Sequence, residues 1–108
     1  MKTVIILNHD QMGHGDVAMG QKILGNFLRK SPAMQTVTAI VLYNSGVKLA
    51  CAGSPVLAEL THLHEAGVDL KPCTTCLEHY GLRLAVGQPS NMDEIVRELA
   101  RAEKVITL

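Results

Sequence analysis

Two hydrophobic periods alternate along the chain. Thr3–Leu7 and Thr36–Tyr43 are continuous, largely β-branched apolar runs. Such runs read as strands covered on both faces, the signature of a parallel sheet. Val68–Leu70 reads as a short strand, Leu82–Val86 as a fourth and Lys104–Leu108 as the last. Between them, apolar residues recur at helical spacing. Val17, Gly20, Ile23, Leu24, Phe27 and Leu28 predict a helix that starts at an Asp16 N-cap and stops at Ser31-Pro32. Leu57, Leu60 and Leu63 predict a second, with Ser54 as N-cap, Pro55 in the first turn and Gly67 as the stop. Met92, Ile95, Val96 and Leu99 predict another, capped by Asn91, with Asp93 and Glu94 favourably placed at its positive end. Val47–Ala52 is short enough for a single helical turn.

The order is β-α-β-α-β-α-β-α-β, with short loops and no internal repeat. It predicts one α/β domain over residues 1–108, a five-stranded parallel sheet with helices on both faces and right-handed crossovers. Ligands of such sheets meet the loops at the carboxyl ends of the strands. Here those loops are residues 8–16, 43–54, 72–76 and 87–91.

Composition narrows the function classes. The chain has 108 residues, enough for a core that needs no metal or disulfide. Ten Lys and Arg balance ten Asp and Glu, so no basic surplus points to nucleic acid or anionic lipid. With one Phe, two Tyr and no Trp, there is no base-stacking platform. No run approaches membrane-spanning length, and the apolar run after Lys2 is too short for a signal peptide. The expected location is cytoplasmic and reducing. There, three cysteines read as reactive or metal-binding groups and not as a disulfide framework.

Cys73 and Cys76 stand three apart where an extended run becomes a short helix. Thr75 and Glu78 have capping-box spacing, which would make Thr75 the N-cap and Cys76 the first helical residue. A thiolate there would be stabilised by the helix end and its pKa should fall. Lys71, Lys48, His14 and His79 are candidate sources of positive charge. Four other readings compete. The cysteines could be inert core residues, as Cys51 in its apolar setting reads. They could form a thioredoxin-like redox pair, although the motif follows the third strand and lacks thioredoxin's aromatic and proline neighbours. With His79 and one of His9, His14, His62 or His64 they could bind zinc, but no second tight ligand pair exists. Gly13-His14-Gly15 loosely matches a dinucleotide fingerprint, but Asp16 would repel a pyrophosphate.

Five motifs, in order and over nearly the whole chain, carry a resemblance. They are Asn8–Asp16 with Gly13 and Gly15; Tyr43-Asn44-Ser45-Gly46-Val47-Lys48-Leu49; Gly53-Ser54-Pro55-Val56-Leu57; Cys73-Thr74-Thr75-Cys76-Leu77 with Tyr80-Gly81-Leu82; and Asn91-Met92-Asp93-Glu94-Ile95-Val96. Together they resemble the DsrE-like sulfur-transfer family, and most nearly the DsrE-like domain of YedF-type proteins linked to selenium metabolism. The resemblance implies a three-layer α/β/α fold with a five-stranded parallel sheet, assembled as a homo-oligomer, a dimer or trimer. It implies a cysteine after the third strand that carries sulfur or selenium as a persulfide, with no cofactor and no metal. Spacing to Gly81 makes that cysteine Cys73, whereas the helix-cap argument favours Cys76. Cys76 would then resolve or share the persulfide. Loop residues Asn8, Asp10, Gly13, Gly15, Asn44, Ser45, Gly46 and Lys48 would surround the site. YedF-type chains usually place a TusA-like domain before this one, while here the DsrE-like region begins at Met1. Either the chain is a trimmed form, or its sulfur donor is a separate protein, for which a TusA-like protein is a candidate. Nucleic acid and membrane are not expected partners. A non-catalytic oligomerisation or redox-sensing module and a C-x-x-C disulfide oxidoreductase are the alternative functions.

Overall fold

The computed structural model describes all residues from Met1 to Leu108. Its elements are β1 (Thr3–Leu7), α1 (Val17–Lys30), a 3-10 turn (Ser31–Met34), β2 (Val37–Leu42), a 3-10 segment (Asn44–Ala50), α2 (Leu57–Glu65), β3 (Asp69–Pro72), α3 (Thr74–Tyr80), α4 (Met92–Arg101) and β4 (Lys104–Thr107). The sheet has four strands in the order β3-β2-β1-β4. Every pairing is parallel, with Ile5 level with Ile40 and Ile106, and Ile40 level with Leu70.

Every β1 residue is buried. Because side chains alternate across a strand, both faces of β1 are covered, as its unbroken apolar run requires. The core joins Ile5, Leu7, Ile40 and Leu42 of the sheet to Leu24 and Leu28 of α1, Leu60 of α2 and Ile95 of α4. The chain steps outward from β1 to β2 to β3, then returns past β1 to β4. With right-handed crossovers, that reversal sends α1 and α2, which pack together, to one face and α4 to the other. Lys71 of β3 pairs with Glu98 of α4 at 3.3 Å on that second side.

Four sequence expectations need correction. Leu82–Val86 is not a strand, so the sheet has four strands instead of five. That segment instead crosses the end of the 3-10 segment. Leu84 forms a single antiparallel bridge with Cys51, and the N–H groups of Ala85 and Val86 both donate to the Ala50 carbonyl. Its backbone is satisfied there without a sheet partner, between left-handed Gly81 and Gly87. Second, α2 begins at Leu57, with Val56 at the N-cap position. Ser54 still works at this turn, since its Oγ accepts the Val56 N–H at 3.2 Å. Third, the buried stripe of α1 is Gly20, Leu24, Gly25 and Leu28, while Val17 and Ile23 are exposed. A Cβ on Gly20 would stand 2.8 Å from the Gln11 Cβ, so the helix meets its preceding loop through a glycine. Fourth, α4 buries Ile95 and Glu98, while Met92 and Val96 face outward. Lys71 and Arg101 flank the Glu98 carboxylate, which lets a charged residue occupy an interior position.

Of the four predicted side-chain caps, Asp16 and Asn91 stand where expected. Asp16 Oδ2 accepts the Met19 N–H at 2.7 Å, and Asn91 Oδ1 accepts the Glu94 N–H at 2.9 Å. No helix is long and apolar enough to cross a membrane.

Candidate thiol site

The carboxyl ends of β1, β2 and β3 lie side by side, and the thiol site is built across β2 and β3. Beyond Leu42, the Tyr43 N–H donates to the Leu7 carbonyl at 3.2 Å and the chain turns into the 3-10 segment. Gly46 makes this turn possible. A Cβ there would stand 1.9 Å from the Leu7 carbonyl oxygen, so only glycine lets the segment sit on the end of β1. Asn44, at the start of the segment, is held at φ 52°, in the left-handed region that Asn tolerates better than most residues.

On the neighbouring strand, the Cys73 N–H donates to the Leu42 carbonyl at 2.9 Å. Cys73 is also bridged to Ser90, and both the Thr74 N–H and the Thr74 hydroxyl donate to the Ser90 carbonyl. These bonds fix the strand-to-helix corner from two sides. Cys73 is the N-cap residue of α3, and the helix begins at Thr74. The expectation of a Thr75 cap with Cys76 as first helical residue is therefore corrected by two positions. The hydrogen bonds of Thr74 to Ser90 close the corner before Thr75 is reached.

The two thiols differ in setting. Cys73 is 4% exposed and belongs to the core. Cys76 is half-buried, and its Sγ accepts the Asn44 N–H at 3.1 Å. Four residues on, one helical turn away on the same face, the Tyr80 hydroxyl donates to Asn44 Oδ1 at 3.0 Å. The Lys48 ammonium lies 4.5 Å above the Tyr80 ring. Neither thiol is in a disulfide. Burial pushes the Cys76 thiol above its ordinary pKa. The Asn44 N–H works against that shift, and hydrogen bonding and charge from Cys73 add to it. The expected fall is thus reversed. Loss of hydration outweighs one backbone hydrogen bond, which comes from another segment and not from the helix end.

The structure brings Asn44 against Cys76, beside Cys73, and Lys48 over Tyr80, with Gly46 seating the 3-10 segment that carries Asn44, Ser45 and Lys48. The 8–16 loop is only partly joined to them. The His9 backbone N would approach a Gly46 Cβ to 3.2 Å. Yet no hydrogen bond or ion pair links Asn8, Asp10, Gly13 or Gly15 to either cysteine. Asp10 lies beside His9, with Nδ1 to Oδ1 at 3.6 Å, and its carbonyl accepts from Gln21. Gly13 and Gly15 have φ of 79° and 151°, so they shape the turn into α1. Of the candidate positive charges, Lys71 is engaged by Glu98, His14 faces His9, and His79 packs edge-on against Tyr80. No three His, Cys, Asp or Glu side chains converge as metal ligands would, so Cys73, Cys76 and His79 have no completing set. Cys51 is fully buried and its thiol donates to the Val47 carbonyl at 3.2 Å.

Tyr80 was not among the predicted site residues. Its signal in the sequence is the four-residue spacing from Cys76 within a helix, which puts both on one face.

No protein-family model matches the chain, and no curated protein matches it in sequence. Its fold is found among solved structures. The chain is similar to the ychN protein from E. coli, with 21% identity, a TM-score of 0.68, and coverage of 99% of this chain and 98% of that one. It is similar to MTH1491 from Methanobacterium thermoautotrophicum, a protein of unknown function, with 21% identity, a TM-score of 0.73 and the same coverages. It is also similar to BT1422 from Bacteroides thetaiotaomicron, a conserved protein of unknown function, with 17% identity, a TM-score of 0.70, and 99% and 94% coverage. At these identities the likeness establishes a shared fold over the whole chain.

Proposed function

We propose that the chain is a persulfide carrier of the DsrE-like kind, which accepts sulfane sulfur or selenium from a donor thiol and hands it to an acceptor. The observation that carries this reading is the half-buried Cys76 sulfur, held by the Asn44 N–H, beside a second thiol on the carboxyl edge of a parallel sheet. A carrier needs a sulfur that a partner protein can reach and a shelter that keeps the load from hydrolysis and exchange.

Burial orders the two thiols. Cys76 meets the donor, since Cys73 is closed off. The Cys76 thiolate attacks the outer sulfur of the donor persulfide, a new S–S bond forms, and the donor leaves as a thiolate. If the Cys73 thiolate then attacks the outer sulfur of the loaded Cys76, the load moves one station inward and Cys76 is restored as thiolate. This accommodates the family spacing that points to Cys73. If Cys73 instead attacks the inner sulfur, a Cys73–Cys76 disulfide forms and hydrosulfide is released. In the proposed reading the carrier is cytoplasmic, where a reducing environment keeps both thiols available for transfer. Exposed Met92, Val96 and Val105 suit assembly as a dimer or trimer.

Intact-mass measurement after incubation with a sulfane donor tests the reading. Gain of one sulfur atom per chain, lost on reduction and absent in Cys73→Ser/Cys76→Ser, supports it. A second reading, the disulfide oxidoreductase, is favoured by the mutual contact of the two thiols. It predicts loss of two hydrogens and no retained sulfur.

A further inference from the structure

The sulfur of Cys76 is held by a group that is itself held. Asn44 donates its backbone N–H to Cys76 Sγ at 3.1 Å, while its side-chain Oδ1 accepts the Tyr80 hydroxyl at 3.0 Å. Asn44 is one of two non-glycine residues with positive φ, and it is exposed. A left-handed, exposed residue aims its N–H in a fixed direction only when something restrains it. The N-terminal side of that restraint is β2, which ends at Leu42. On the other side, Gly46 is wedged against the Leu7 carbonyl. Tyr80 supplies the remaining restraint through the side chain, and Lys48, over the Tyr80 ring, secures the tyrosine. Cys76 and Tyr80 share one face of α3, so a single helix presents both the sulfur and the tyrosine that orients its partner.

We propose that Tyr80 and Asn44 form a positioning pair that holds the Asn44 amide against Cys76, so that this thiol, and not Cys73, receives the incoming sulfur. The proposal deepens the carrier reading and rests on it for its purpose. Neither residue bonds to the transferred sulfur or exchanges a proton with it. Tyr80 acts through Asn44, and Asn44 acts through its main chain.

The test reads the acidity of Cys76 without any sulfur transfer, so its failure is separable from failure of the carrier reading. Alkylation rate against pH is followed at Cys76 in the full-length protein, in Tyr80→Phe, in Asn44→Gly and in the double variant. Phe keeps the ring under Lys48 and removes only the hydroxyl. Gly keeps the backbone N–H and accommodates the left-handed φ while removing the amide that accepts from Tyr80. Each single variant moves the Cys76 profile to higher pH and slows alkylation at neutral pH by about three- to tenfold. The plateau rate at high pH stays the same, because exposure has not changed. The double variant slows alkylation no further than either single one, because the two residues act as one device. An unchanged profile in Tyr80→Phe overturns the proposal. So does additive slowing in the double variant, or a profile that shifts only in variants with a lowered melting temperature, which is the behaviour of a purely structural contact.

Discussion

At the scale of single residues, the chain separates three cysteines by environment. Cys51 is fully buried and committed to the Val47 carbonyl, and burial pushes its thiol up as well. Cys76 is raised despite the Asn44 N–H. Alkylation of the native protein should therefore modify Cys76 first and leave Cys51 untouched until unfolding. The Cys76 midpoint should lie above the ordinary thiol value of about 8.5. A midpoint below that value would mean that hydrogen bonding to the sulfur, and not burial, controls it. The same shifts have a stability consequence. Both thiols stay protonated in the folded chain at pH values where the unfolded chain has ionised. Their contribution is thus complete below the ordinary thiol pKa and is lost as pH rises through the folded values. The sequence located the cysteine pair but misjudged the direction of the shift. That direction depends on how much water the fold removes from the sulfur, which spacing does not encode.

At the scale of elements, the site depends on a 3-10 segment seated on the end of a strand. Gly46→Ala tests that seating, since the new methyl would overlap the Leu7 carbonyl at 1.9 Å. Displacing the segment should cost about 3 kcal/mol of stability and shift the Cys76 alkylation profile with it, because Asn44 moves too. A variant of unchanged stability, measured by denaturant unfolding, would show that the segment is not pinned there. Elements whose register is written in strong apolar runs were legible in advance, as β1 and β2 were. So were the Asp16 and Asn91 caps, which rest on local hydrogen bonds. The Leu82–Val86 segment was not. Its apolar residues fit a strand, but its backbone partners come from the 3-10 segment, a tertiary choice with no local signature. The helix stripes failed for a related reason. α1 packs through glycines and α4 buries an ion-paired carboxylate, so apolarity alone did not mark the inward faces.

At the scale of the whole molecule, strand order converts a linear series of loops into one edge. Residues 42–44 and 72–76 are distant in sequence and meet because β2 and β3 are parallel neighbours. This meeting was legible from the strand order, although the 8–16 loop contributes less to the thiol site than expected. Three large apolar side chains on α4 and β4, Met92, Val96 and Val105, remain exposed, and β4 is an edge strand. With no net charge to keep copies apart, the chain should associate. Sedimentation at micromolar concentration should report a dimer or trimer, and a monomer at every concentration would contradict the expected assembly.

The proposed entry of sulfur at Cys76 depends on the thiol's setting, the seated 3-10 segment and the parallel sheet edge together. Loading with a sulfane donor, followed by intact-mass measurement of the unaltered chain, Cys73→Ser and Cys76→Ser, addresses it directly. One reductant-labile sulfur atom is expected on the unaltered chain and on Cys73→Ser, and none on Cys76→Ser. A full load on Cys76→Ser, or no load on any of the three, would contradict it.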